Sequence, residues 1–143
     1  MAFFDDTIEL SASPERAFDV VADPRTAARW HPAIVRSTRA DDAEPVEMGT
    51  ITNSVFVFYG REIELAFESV ELDRPRRVVA QAASKRARAR DEFDIESTDS
   101  GCRLRYRTEL TMGGFLRVFD RGLQVVFDGI GRRALEGLRA ELE

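Results

Sequence analysis

Three side chains in this sequence have the chemistry of proton transfer: Asp91, Tyr106 and His31. Asp91 and Tyr106 lie in "ARARDEFDIESTDSGCRLRYRTEL", which reads as two strands joined by a turn. With Thr98 to Gly101 as the loop, Glu96 faces Arg103, Asp94 faces Arg105, Glu92 faces Arg107 and Arg90 faces Glu109. Every pair on that face is opposite in charge, which favours this register and makes the arginines a solvated sheet face. The other face pairs Ile95 with Leu104, Phe93 with Tyr106, and Ala89 with Leu110. One polar pair interrupts it, Asp91 with Thr108. A slip of one residue would turn the apolar set to solvent and undo the charge match. A carboxylate on the apolar face is costly unless hydrogen-bonded or wet. Such a setting raises its pKa toward the range useful to a general acid or base. The plainer reading is a hydrogen-bonded Asp–Thr pair at the end of the sheet, near water.

His31 is the only histidine and follows the only tryptophan, Trp30. An imidazole can serve as a general base near neutral pH. Pro32 keeps the chain extended after His31, so the two rings are expected to point in different directions. Trp30 then plugs the end of the core and His31 lies at the solvent-facing rim. No Ser/His/Asp triad can be assembled around His31. One His and one Cys, Cys102, cannot build a zinc site of the usual kind, and no carboxylate cluster suggests another metal. Neither a phosphate-cradling glycine loop nor a dinucleotide fingerprint is present. No metal and no cofactor are therefore expected. Cys102 reads as a small apolar filler rather than a nucleophile.

The elements that must position these groups follow from local signals. Thr7 to Leu10 alternates as a strand. Ser13-Pro14 and Asp23-Pro24 each give a capping residue followed by proline, so two short helices follow the strand, the second ending by His31. Candidate strands then run over Ile34–Arg39, Thr50–Phe58, Arg61–Leu72, Arg77–Ala83, Ala87–Ser97 and Cys102–Met112, separated by short turns, which implies an antiparallel meander. Ala40 to Glu47 reads as a polar loop. At Phe58-Tyr59-Gly60, a three-residue turn with Gly60 left-handed would pair Val57 with Arg61 and Val55 with Ile63. That register places Val55, Ile63, Leu65 and Phe67 on the inner face. It turns Phe56 and Phe58 outward beside Glu62 and Glu64, a partner surface through which two copies could associate. A long helix is expected from Phe115 to about Leu142, with apolar residues recurring at helical spacing.

The order strand, two short helices, six strands, long helix is that of an α+β helix-grip fold: a curved antiparallel sheet wrapped around a long C-terminal helix. The stretch "IELSASPERAFDVVADPRTAARWHPAIV" resembles the opening of polyketide cyclase/dehydrase-like proteins in the START and birch-pollen-allergen superfamily. Met48-Gly49-Thr50, "ELDRPRRVV" and "GCRLRYRTEL" fit the same pattern, so the resemblance covers nearly all of the chain as one domain, residues 1–143. It implies an apolar cavity between sheet and helix that takes a lipid, polyketide or similar small hydrophobic molecule. Some members are cyclases or dehydratases; many only bind, and fold alone does not choose. From the sheet, Ile63, Leu65, Phe67, Phe93, Leu104, Tyr106, Asp91 and Thr108 are expected to line the cavity. Phe119, Leu123, Val126 and Phe127 would approach from the helix, Trp30 from the end, and Tyr59 is placed at the mouth. Asp91, Tyr106 or His31 would move protons in an enzyme.

The chain has 143 residues, 43% hydrophobic and 33% charged, enough for one core. Its net charge of -5 disfavours nucleic acid as a partner. The single cysteine, the absence of an apolar run of membrane-spanning length and an acidic amino terminus predict a soluble, cytoplasmic protein.

Overall fold

Ser13 caps the first helix as its spacing predicts. Its hydroxyl accepts the Arg16 N–H at 3.2 Å, and Pro14 sits in the first turn. Asp23 repeats the device just after that helix, accepting the Arg25 N–H at 3.1 Å. In this computed structural model, described for residues 1–39, 45–58, 60–85, 87–113 and 120–143 and by backbone alone at 120 and 121, the elements run as follows. Strand β1 (Ala2–Leu10) leads to α1 (Pro14–Ala22), a 3₁₀ turn (Pro24–Thr26) and α2 (Ala27–Trp30). Then come β2 (Ile34–Thr38), β3 (Ile51–Phe58), β4 (Arg61–Asp73), β5 (Arg77–Ala83), β6 (Ala87–Thr98) and β7 (Gly101–Met112), followed by α3 (Asp120–Leu142). The strands form one antiparallel sheet in the order β1-β7-β6-β5-β4-β3-β2. This is the helix-grip arrangement. The expected sites Tyr59 and Phe119, the helix start at Phe115 and most of the loop beginning at Ala40 lie outside the described residues.

The β6–β7 hairpin has the register that its charge pattern demands, from Arg90 opposite Glu109 to Glu96 opposite Arg103. The ion pairs reach further than one hairpin. Arg107 Nη2 lies 2.8 Å from both Glu92 and Asp94, Arg77 on β5 bonds Asp94 at 2.8 Å, and Arg105 bonds Asp5 on β1 at 2.6 Å. Alternate carboxylates and guanidiniums thus tile the outer face across four strands, and the apolar alternates face the helix.

Strand β1 begins at Ala2 rather than Thr7. Gln124 of α3 accepts the Phe3 N–H at 3.0 Å and donates to the Phe3 carbonyl at 2.7 Å, so the helix ties down the start of this edge strand. Phe4 on the inner face lies against Gly131, where an added methyl would strike the phenyl ring. Gly137 likewise lets α3 approach the Trp30 carbonyl at the end of α2. Both glycines serve close approach, which a Cβ would block.

One predicted register is wrong. Phe58 pairs with Arg61 and Phe56 with Ile63, so two residues, not three, join β3 to β4. Gly60 at φ +73° still takes the left-handed position. The slip exchanges the two faces of β3. Phe56 and Phe58 are each 7% exposed in the core, stacked with centroids 5.8 Å apart. Burying two phenyl rings removes more apolar surface from water than burying two valines. The outward pair of phenylalanines expected to join two copies does not exist, and with it goes the argument for a homodimer through that face.

Candidate functional site

Strand β6 brings Asp91 to the inner face of the sheet, opposite Thr108 of β7. The Thr108 hydroxyl donates a hydrogen bond to Asp91 Oδ1. The carboxylate faces two narrow gaps, which leaves it partly accessible although protein surrounds it. Loss of solvation is the dominant influence, and it outweighs the Thr108 bond to raise the pKa to about 6. The Asp–Thr pair is therefore present, but inside the sheet rather than at a wet end. Tyr106, two residues before Thr108, is 1% exposed. Burial, with the Asp91 charge adding to it, holds its hydroxyl well above the usual range, against a weaker opposing effect of its bond with Thr108.

His31 corrects the sequence reading. It is 9% exposed and belongs to the interior, not to the rim. It ends α2 with extended backbone, φ -91° and ψ 120°, and its Nδ1 accepts the Ala33 N–H at 3.2 Å. That bond leaves the proton of the neutral ring on Nε2. Burial lowers its pKa to about 4, so the ring is uncharged at neutral pH. Trp30 and His31 do not part as expected: their ring centroids lie 5.7 Å apart and both rings border the same gap. Trp30 meets the edges of Phe93 and Tyr106 at 6.1 and 6.5 Å between centroids, and His31 meets Phe56 at 5.9 Å.

The two gaps lie on either side of a common wall made by His31, Phe56, Phe67 and Asp91. One, of about 40 Å³, is closed by α1, the 3₁₀ turn and α2; Trp30 and Phe93 also line it. The other, of about 20 Å³, is closed by α3 through Phe127 and Ile130, with Leu65, Tyr106 and Thr108 on the sheet side. A water needs roughly 10–15 Å³ on such a measure, so these spaces hold a few waters and no more. Aromatic rings fill the rest. A broader depression of about 560 Å³ on the outer face is open to solvent and lined by groups such as Glu68, Arg88 and Arg90.

Of the expected lining residues, Trp30, Leu65, Phe67, Asp91, Phe93, Tyr106, Thr108 and Phe127 border a gap. Ile63, Leu104 and Leu123 are buried core that reaches neither gap. Val126 is 36% exposed and is not a lining residue. With Leu123, Phe127 and Ile130 turned inward, it falls on the flank of the helix. Sequence reasoning misses several lining residues, among them Phe56, Ser54 and Ser69. Phe56 and Ser54 sit on the β3 face that the wrong turn length directs outward. Ser69 continues the inward alternation of Ile63, Leu65 and Phe67 on β4, but its hydroxyl takes it out of the apolar pattern.

A family model described as "Polyketide cyclase / dehydrase and lipid transport" matches residues 1–143. No curated protein matches by sequence. Several solved structures share the fold. A protein from Thermus thermophilus superposes with a TM-score of 0.76 at 14% identity, covering 99% of this chain and 95% of that one. A START superfamily protein from Mycobacterium smegmatis gives 0.74 at 12% identity, with 99% and 97% covered. The di-domain ARO/CYC StfQ from the steffimycin biosynthetic pathway gives 0.71 at 13% identity, with 99% of this chain matched to 50% of that one. Among the described residues, no helix is long and apolar enough to cross a membrane.

Proposed function

Since the chain belongs to the polyketide cyclase / dehydrase and lipid transport family, we propose that it binds a small hydrophobic molecule between the concave sheet face and the C-terminal helix. The observation that carries this reading is the common wall of the two gaps, where Asp91 and His31 are set among Phe56, Phe67 and other rings. An apolar pocket with a few convergent polar groups is the usual form of a small-molecule site. The gaps are too small for such a molecule as they stand, so entry displaces side chains and joins the two spaces. Native mass spectrometry of freshly purified protein, followed by organic extraction, tests this. The expected result is a bound hydrophobic compound. After extraction, the emission of Trp30, the single tryptophan, should respond to added naphthalene. A ligand-free mass together with an unresponsive Trp30 would overturn the reading.

A second reading, a cyclase or dehydratase acting in the same place, is favoured by one observation. Asp91, with a pKa near 6, and a neutral imidazole share the wall. Dehydration of a β-hydroxy ketone needs a base to take the proton α to the carbonyl and an acid to protonate the departing hydroxyl, which leaves as water. Asp91→Asn should abolish turnover under this reading and leave affinity for an apolar ligand within about tenfold. Unchanged turnover in that variant removes Asp91 from the chemistry.

A further inference from the structure

Resting on the binding reading above, the geometry points to a ligand whose polar end is a hydroxyl group, an alcohol or phenol on an apolar body, held between Asp91 and His31. Matching of donors to acceptors selects it. Thr108 already gives its hydroxyl proton to Asp91 Oδ1. Among the described residues, Thr108 is the one group beyond burial that tunes this carboxyl, and no cation does. Oδ2 is left to accept. His31 has its Nδ1 occupied by the Ala33 N–H, so its free ring atom is Nε2–H, a donor. Both side chains border both gaps. The site therefore offers one acceptor and one donor facing the same small space.

A hydroxyl is the head group that answers both, donating to Asp91 while accepting from His31. A carboxylate, sulfate or phosphate can take the His31 proton, but it meets the Asp91 carboxylate. Among the described lining residues there is no Lys or Arg to neutralise it. An ammonium group can pair with Asp91, but it brings only donors and leaves His31 Nε2–H facing another donor. The hydroxyls of Ser54 and Ser69 on the wall of the larger gap are neutral and add no charge preference.

The test is isothermal titration calorimetry of the whole, extracted protein near neutral pH with four probes on one ring system. These are naphthalene, β-naphthol, β-naphthoate and β-naphthylmethylamine. β-Naphthol should bind at least about tenfold tighter than the acid and the amine, and tighter than the parent hydrocarbon, as two satisfied hydrogen bonds against a mismatched head group imply. In Asp91→Asn the preference for β-naphthol over β-naphthoate should shrink several-fold. Equal binding of the acid, or tighter binding of the amine, overturns the hydroxyl assignment while leaving interior binding intact. Failure of all four probes, naphthalene included, overturns the binding reading itself and this inference with it.

Discussion

Replacing Asp91 by Asn should stabilise the protein by an amount that grows with pH. The carboxyl has a pKa near 6 in the folded protein against 3.8 as its ordinary value, because burial disfavours the charged form. The folded state therefore holds the proton more tightly than the unfolded state. Such a group adds its full stability below pH 3.8 and loses it as pH rises through 6. The difference of about two pKa units corresponds to roughly 3 kcal/mol at pH 8, falling to about half that near pH 5 and to a few tenths near pH 4. Water reaching the carboxylate through the gaps lowers these figures, so a gain of about 2 kcal/mol at pH 8 is a fair expectation. Asn keeps an oxygen to accept the Thr108 hydroxyl, so the substitution removes the charge without orphaning its partner. Urea unfolding followed by Trp30 emission, run on both proteins near pH 8 and pH 4, measures the effect. A gain of the same size at both pH values, or no gain at pH 8, would show that no poorly solvated carboxylate sits on the inner wall.

His31 should act with the opposite sign. Its folded pKa of about 4 lies below the ordinary 6.5, so its contribution is present above 6.5 and lost as pH falls through 4. His31→Gln should remove roughly 3 kcal/mol of that acid-side loss, and acid titrations of stability for the two proteins would show it. In the wild-type protein the His31 and Asp91 slopes offset one another between about pH 4 and 6, so each single variant should show a steeper dependence there than the parent. Gly131→Ala and Gly137→Ala should each cost about 1–3 kcal/mol by driving a methyl into the Phe4 ring or the Trp30 carbonyl. Gly129→Ala, which meets nothing, should gain up to about 1 kcal/mol from helix propensity. Thermal melts of the three variants separate these outcomes.

Residues 87–112 are legible in the sequence because two patterns agree there. Opposite charges on one face and apolar pairs on the other admit a single register, and Asp91 stands out as the one acid breaking the apolar face. The helix starts are legible because Ser13-Pro14 and Asp23-Pro24 act locally. What is not legible depends on contacts distant in sequence. The turn at Gly60 is compatible with two loop lengths, and the rings of Phe56 and Phe58 decide between them by finding His31 and Phe67 inside. The place of His31 escapes local reasoning because extended backbone at His31 does not separate its ring from that of Trp30, and the two pack together with centroids 5.7 Å apart. Its pocket is built by Phe56, whose face depends on the turn length, so a single register slip hides both residues. Helical spacing of apolar residues points Val126 inward, whereas the helix angle is fixed by Gly131 against Phe4 and Gly137 against Trp30.

Occupation of the interior by a small molecule at the Asp91–His31 wall can be tested residue by residue, through amide chemical-shift mapping during a titration with β-naphthol. Changes should concentrate at His31, Ala33, Phe56, Phe67, Asp91 and Phe93, with the outer-face amides of Arg90, Glu92 and Arg105 nearly still. Changes centred on those outer residues, or a spectrum that does not move at saturating probe, would contradict binding at that wall.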